Sequence, residues 1–360
     1  MNILIDVNHP AQVHYFRNLH KALGAEHNVY YSCKRVPIIE KLFSAYGIHY
    51  ISYGEKKDAI LAKAISQLRY DYECYRHLKE LDINIAIGSS VSNVHAAKLT
   101  KAISIATTDS DLAVLPLAVK FVYPFADFLM TPDALAFQKH PKQICYPGYQ
   151  ELAYLHPNRF KPDPEVLGEC GLKENDLFFI LRFTAFKAHH DIGMYGLSRN
   201  QKWQLIKLLE AHGKVLITSE VNDPEFAPYA SPVSPEKMHS LMYFAQMLVC
   251  DSQTMTTEAA VLGTPAFRCN TFAGKLTVIE EVEKYYDLAY SYHPRHFHWM
   301  LRKIEQLLQR DDVKQEWAIK RLRLIKEKID VSAFWAWLLA NAPGSLEATK
   351  AGKVDFDRFR

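Results

Sequence analysis

The residues Asp251-Ser252-Gln253-Thr254-Met255-Thr256-Thr257-Glu258 carry the densest potential chemistry in the chain. An apolar run at 247–250 precedes them, and Ala-Ala-Val-Leu-Gly-Thr-Pro follows. The pattern predicts a strand, a tight loop and a helix whose first turn is crowded with small hydroxylated residues. The first N–H groups of a helix have no partner within it, and its dipole is positive at that end, so such a turn is an anion site. Ser252 and Thr254 could add hydroxyl donors to a diphosphate, with Gln253 between them. Glu258, deeper in the helix, offers a carboxylate that can accept from the two hydroxyls of a ribose. The plainer alternative makes Ser252 a simple cap and Glu258 a solvated helix residue.

Other loops offer titratable groups. His9 and His14 follow the first predicted strand and are the natural general-base candidates, because imidazole titrates near neutrality. The loop after a strand at 177–183 brings Arg182, Lys187, His189, His190 and Asp191. A guanidinium suits bidentate contact with phosphate. The two adjacent histidines with Asp191 lack the helical i, i+4 spacing of zinc ligands, so they are assigned to substrate or phosphate contact and no metal site is expected. Asp109-Ser110-Asp111 matches a three-residue D-x-D pattern, and Asp109 is retained as an acceptor-side contact or alternative base. Gly88-Ser89-Ser90 precedes another helix and forms a second, weaker anion-type turn. Neither G-x-G-x-x-G nor G-x-S-x-G occurs.

Alternating elements must position these loops. Strands are expected at 3–7, 27–33, 49–53, 83–87, 103–107, 128–131 and 143–146, with helices between the earlier ones, including a long one from about 58 to 81. Between 148 and 176 the alternation weakens around Pro157, Pro162 and Pro164, which reads as a linker. It restarts with strands at 177–183, 215–218, 247–250 and 265–269 and helices at 201–212, 235–245 and 254–262. From about 295 the chain reads as helical. The helix at 313–329 is basic and amphipathic, Phe334-Trp335-Ala336-Trp337 is aromatic, and the residues from Pro343 read as a loose polar tail. The class is therefore α/β, with parallel sheets in two domains at 1–155 and 156–332 and a closing helix and polar tail at 333–360. In open sheets of this kind ligands bind beyond the carboxyl ends of the strands, which is where the loops above lie.

Bulk properties exclude several classes. The 360 residues are 49% hydrophobic and 23% charged, with a formal net charge of +3. That is a globular balance, and too weakly basic to argue for nucleic acid. The six cysteines are scattered and form no C-x-x-C pair, which suits reduced thiols. No apolar run reaches the ~20 residues of a membrane span. With no signal-like start, the expected location is cytoplasmic, with peripheral contact at the inner membrane face through the 313–329 helix as a further option.

The stretch from Cys250 to Arg268 resembles the nucleotide-binding segment of GT-B glycosyltransferases and of UDP-N-acetylglucosamine 2-epimerases. Those have a strand, Asp-Ser, small residues, Glu-Ala and Leu-Gly-x-Pro, with a Glu six residues after the Ser; Ser252 and Glu258 keep that spacing. In that family the Ser and the following amides hold the diphosphate and the Glu holds the ribose. The departure is Gln253-Thr254, where the epimerases have two glycines. The whole chain resembles a GT-B-like family of unknown function associated with surface-polysaccharide synthesis. The resemblance rests on Asp6–His14, on Leu181-Arg182-Phe183 through Ala188–Gly193, and on Asp251–Pro265. It implies two Rossmann-like halves facing across a cleft and a metal-independent glycosyltransferase without a cofactor. That enzyme would move a sugar from a nucleotide-diphosphate donor to a sugar or lipid-linked acceptor. A nucleotide-sugar 2-epimerase and a non-catalytic nucleotide-sugar-binding subunit are the alternatives.

Overall fold

The computed structural model describes residues 1–55, 60–184, 195–219 and 223–360, without the side chains of 55 and 60–65. The described chain divides into two compact units, Met1–Arg159 with Lys328–Arg360, and Phe160–Glu327.

The first unit runs β1 (Asn2–Val7), α1 (Pro10–Leu23), β2 (Asn28–Arg35), α2 (Pro37–Ala45), β3 (Tyr50–Glu55), α3 (Ile60–Glu80), β4 (Ile85–Gly88), α4 (Val91–Lys98), β5 (Ile103–Thr107), α5 (Pro116–Phe121), β6 (Phe128–Pro132), β7 (Gln143–Tyr146) and α6 (Leu152–Leu155). The second runs α7 (Glu165–Glu169), β8 (Phe178–Phe183), α8 (Arg199–Glu210), β9 (Lys214–Ser219), α9 (Met238–Phe244), β10 (Met247–Cys250), α10 (Gln253–Leu262), β11 (Ala266–Cys269), α11 (Thr277–Lys284), β12 (Ala289–Tyr292), α12 (Phe297–Leu308) and α13 (Val313–Glu327). The chain then returns to the first unit as α14 (Val331–Ala340) and α15 (Gly344–Lys350).

Among the described residues, one parallel sheet has seven strands in the order β3-β2-β1-β4-β5-β6-β7, and the other five in the order β12-β11-β10-β8-β9. The order reverses direction between β1 and β4 in one sheet and between β8 and β10 in the other, and each such point opens a crevice at the carboxyl ends of the strands. Strands such as Phe178–Phe183 and Met247–Cys250 are apolar and buried along most of their length because helices cover both faces of a parallel sheet. At the first switch point Gly88 ends β4 with φ +154°, and a Cβ there would stand 2.3 Å from the carbonyl oxygen of Asp6 on β1. Only glycine lets the two strand ends approach this closely.

Three expectations change. β12 was not anticipated: Ala-Tyr-Ser-Tyr is a short mixed run that becomes a strand only by pairing with β11. The predicted helix at 235–245 is a 3-10 turn at Pro235–Lys237 followed by α9. The supposedly loose tail after Pro343 is ordered as α15 and a final 3-10 turn. Leu346 and Phe359 are buried, and the Phe359 ring lies 5.5 Å from Phe334 and 5.6 Å from Trp337. Apolar residues spaced widely in a polar sequence supply the anchoring here, and hydropathy read along the sequence does not register it.

The return to the first unit begins at Lys328, where the sequence reading puts the change at 333. Lys328 Nζ donates to Asp133 at 2.9 Å, and the Ile329 amide to the Pro147 carbonyl at 3.0 Å. The Asp330 carboxylate accepts from Arg159 Nε at 2.7 Å and caps α14 through the Ala333 amide at 3.0 Å. α14 then seats the fully buried Trp335 5.2 Å from Phe16 of α1.

Replacing Gly88 with alanine should cost about 1–3 kcal/mol, the range for forcing an atom into a packed site. Urea unfolding of Gly88→Ala beside Gly47→Ala checks this. Gly47 also has positive φ but open space around it, so a merely conformational penalty would give the two variants equal losses.

Candidate functional site

The loop after β10 is built from its own side chains. Asp251 is buried, and its Oδ1 accepts from the Thr184 amide at 2.7 Å, which ties the end of β8 to the end of β10. Asn270 Nδ2 donates to the Asp251 carbonyl at 2.8 Å and ties in the end of β11. Ser252 is the N-cap of α10, its Oγ accepting from the Met255 amide at 3.3 Å. Thr256 turns inward and donates to the Ser252 carbonyl at 2.7 Å. Ser252, Gln253, Thr254 and Met255 remain partly exposed, while Thr256 to Leu262 are buried. The helix therefore has an accessible first turn on a buried body. Its far end closes at Gly263, whose φ of +79° makes the left-handed stop expected after a helix.

Glu258 is buried, so its reading as a solvated residue is corrected. Its Oε1 lies 2.9 Å from Nε2 of His239, also buried, on α9. Sequence reading missed His239 because nineteen residues separate the pair and only the packing of α9 against α10 joins them. Its one local signal is a titratable residue in the mostly apolar run Met238–Phe244. Arg268 was missed too. It is fully buried at the middle of β11, its Nε 3.2 Å from Ser291 Oγ, with no hydrogen bond from Nη1 or Nη2 to the described residues. Burial lowers its guanidinium to about 10. Arg182 sits on β8 in register with Cys250, its Nη1 donating to Thr218 at 3.3 Å. The expected contacts Lys187, His189, His190 and Asp191 lie outside the described residues.

In the first unit, Gln12 joins three strand ends. Its Oε1 accepts from the Asn8 amide at 2.8 Å, and its Nε2 donates to Ser89 Oγ at 2.9 Å. Ser89 Oγ in turn donates to the Thr107 carbonyl at 3.0 Å. This network brings the His9 loop, Gly88-Ser89-Ser90 and the turn carrying Asp109 to one edge of the sheet. Asp109 is half-buried and accepts from Ser110 Oγ at 3.2 Å. His9 is exposed and caps α1, its Nδ1 accepting from the Ala11 amide at 3.3 Å. In that role the proton of the neutral ring is on Nε2, so His9 presents a donor. His14 is packed inside the unit. It stacks on Tyr154 at 5.4 Å, and its Nδ1 lies 2.9 Å from the Tyr46 hydroxyl, which also accepts from Arg17 at 2.5 Å. Among the described residues no three His, Cys, Asp or Glu side chains gather as a metal cluster.

The family described as "Protein of unknown function (DUF354)" matches residues 1–293. The chain belongs to the DUF354 family. No curated protein matches it in sequence. The DUF354 chain is similar in structure to the UDP-GlcNAc 2-epimerase from Neisseria meningitidis bound to UDP-GlcNAc, with TM-score 0.65, 10% identity, and coverage of 96% of this chain and 100% of that one. It is similar to the UDP-GlcNAc 2-epimerase from Methanocaldococcus jannaschii in complex with UDP-GlcNAc and UDP, with TM-score 0.60, 11% identity, and coverage of 90% and 99%. The glycosyltransferase VinC in complex with dTDP matches at TM-score 0.60, 12% identity, and coverage of 98% and 100%. At these identities the likeness is one of fold, and the α/β fold is of the GT-B type.

The basic helix α13 of this DUF354 chain uses most of its cations within the protein. Lys314 donates to the carbonyls of Tyr243 and Ala245, Lys320 pairs with Asp287 and Glu316, Arg321 donates to the Val261 carbonyl, and Arg323 pairs with Glu327. Lys326 is exposed. No described helix is long and apolar enough to cross a membrane.

Burial pushes the Asp251 carboxyl up from 3.8 to about 6, against the Thr184 hydrogen bonds and the charges of Lys202 and Arg182. The folded chain thus keeps a proton that the unfolded chain has already released. Asp251 contributes stability fully below about pH 4 and loses it as pH rises through about 6. The difference in urea-unfolding free energy between wild type and Asp251→Asn should therefore shift against wild type between pH 4 and pH 6 and stay level above pH 7. A difference that does not vary with pH would refute the assignment.

Proposed function

We propose that this chain is a glycosyltransferase that takes a sugar from a nucleotide-diphosphate donor and passes it to a sugar or lipid-linked acceptor in cell-surface polysaccharide or glycoconjugate synthesis. The observation that carries this reading is the start of α10: an accessible, Ser252-capped first turn beside Glu258, a carboxylate fixed by His239. The N–H groups of Gln253 and Thr254, together with the helix dipole, would take the diphosphate. Glu258, oriented by the His239 ring, would accept from the ribose hydroxyls. Negative charge grows on the departing diphosphate as the glycosidic bond breaks. Fixed donors at a helix end, with Arg182 on the neighbouring strand, stabilise that charge without having to reorganise. The printed ligands of the neighbours, UDP-GlcNAc, UDP and dTDP, support a nucleotide-diphosphate ligand.

On the acceptor side, Asp109 is the better base. It is a half-exposed carboxylate, an acceptor by nature, at the strand edge where His9 presents Nε2–H as a donor. The acceptor hydroxyl would lose its proton to Asp109 while His9 holds a substrate oxygen. His14, packed between Tyr46 and Tyr154, would position the α1 end of this loop. A cytoplasmic location fits nucleotide-sugar use and belongs to the same proposal.

Epimerisation is the second reading, supported by the epimerase neighbours. It predicts deuterium uptake at C2 of UDP-N-acetylglucosamine in heavy water with no acceptor present, whereas transfer predicts none. Persistent donor binding with neither exchange nor transfer would favour a binding subunit.

A thermal-shift screen of nucleotides and nucleotide-sugars tests the site. A ligand at one hundred times its dissociation constant should add ~2.7 kcal/mol to stability. Glu258→Gln should weaken ribonucleotide affinity by about tenfold to a hundredfold, the range for losing a hydrogen bond to a charged group. Isothermal titration gives the constants. Unchanged affinity for every nucleotide in Glu258→Gln would remove the ribose assignment.

A further inference from the structure

The first unit has a surface that is hard to reconcile with water on all sides. From Leu112 to Ala126 the only charged residue is Lys120. Most of that segment nevertheless lies at the surface. Leu117, Phe121 and Phe125 are exposed, at 53%, 43% and 40% of their area. Ala118 of α5 and Val122 just after it pack into one cluster with Val94 of α4. The adjoining face is left open, with Leu117 and Phe121 one turn apart on it.

The apolar surface continues onto α4. His95 Nε2 donates to the Phe121 carbonyl at 2.8 Å, and its ring meets Phe125 edge-on at 4.5 Å. Leu99, four residues after His95 and so on the same side, is 72% exposed. Single exposed apolar residues need no explanation, but a contiguous group of large ones marks an interaction surface.

Charge decides what it meets. Neither α4 nor α5 contains an aspartate or glutamate. Lys98, Lys101 and Lys120 are exposed around the apolar group. Lys142 holds the carbonyls of Pro124 and Ala126, which flank Phe125, at 2.7 Å each. Two described carboxylates lie in this neighbourhood, and both are engaged: Lys98 and Ser104 bond to Asp127, and Asp71 pairs with His95 Nδ1 at 3.2 Å. Two copies of the chain meeting through this face would set lysine against lysine, which opposes a symmetric dimer. A lysine-rimmed aromatic and aliphatic surface fits an anionic bilayer. The rings and leucines enter the headgroup boundary while the ammonium groups stay at lipid phosphates.

We propose that the exposed face of α4 and α5, centred on Leu99, Leu117, Phe121 and Phe125, docks this protein on an anionic membrane surface. This is a different place from the α13 helix expected from sequence, whose cations are mostly engaged internally. The segment begins just after Asp109, so docking here would set the proposed acceptor edge near lipid-linked substrates. That link rests on the functional reading above; the docking does not.

Sedimentation with vesicles tests it, without any nucleotide or acceptor, so its outcome is separate from that of the glycosyl-transfer reading. The full chain is mixed with vesicles of phosphatidylcholine alone and of phosphatidylcholine with an equal amount of phosphatidylglycerol. It should pellet with the mixed vesicles, less with the neutral ones, and less again at high salt. Phe121→Ser with Phe125→Ser should abolish pelleting with at most a small fall in the urea midpoint, since both rings are partly exposed and Phe125 gives up its contact with His95. Lys101→Gln with Lys120→Gln should weaken it by about fivefold for each lysine, and Lys326→Gln on α13 should leave it unchanged. The proposal is overturned if wild type stays in the supernatant with mixed vesicles, or if the double serine variant pellets as well as wild type. It is equally overturned if light scattering shows a wild-type dimer that the serine variant converts to monomer.

Discussion

A helix that starts directly from the carboxyl end of a parallel strand brings N–H groups it cannot satisfy to the sheet edge. In the second unit this constraint falls on α10, and most of the surrounding structure answers it. Ser252 satisfies one of the groups by capping, and Thr256 turns inward to hold the cap carbonyl. The first turn keeps part of its surface open. Everything behind it is buried, which lowers the local dielectric and makes the fixed dipoles more effective toward an anion.

That open turn would drift without lateral support, because a loop has few contacts of its own. Asp251 supplies the support with its carboxylate on β8 and its carbonyl on Asn270. Burial of that carboxyl is the cost, visible in its rise to about 6. The first unit solves the same problem with neutral groups. Gln12 and Ser89 link the loops after β1, β4 and β5, and Gly88 lets the strand ends come close enough for the link to form. One edge is therefore held through a buried ionisable group and the other through amides and hydroxyls.

The carboxyl-terminal helices show a second consequence of two-unit construction. Arg159 and Asp330, far apart in sequence, pair beside the two chain passages that leave and re-enter the first unit. The aromatic residues of α14 fill a core whose strands were laid down by the opening residues. The first unit therefore cannot complete its core until the end of the chain is present, whereas the second is continuous in sequence.

Much of this was legible locally. Strand spacing is a matter of hydrophobic period, so the strands from β1 to β11 stood close to where patterning put them, and Asp251 to Glu258 declared itself through the types of residues that fit a strand-to-helix turn. β12 and the folded tail were not legible, because Ala289–Tyr292 and Gly344–Lys350 have weak patterns that neighbours complete. Nor were the partners of the site residues. His239 reaches Glu258, Tyr46 reaches His14, and Gln12 reaches Ser89 only because helices pack at particular angles on a twisted sheet. Sequence determined which chemical groups would arrive at the carboxyl ends of the strands, because the period of apolar residues sets where strands stop. Tertiary structure alone decided which groups remain accessible there and which are locked inside, because burial and hydrogen-bond partners come from residues that are distant along the chain.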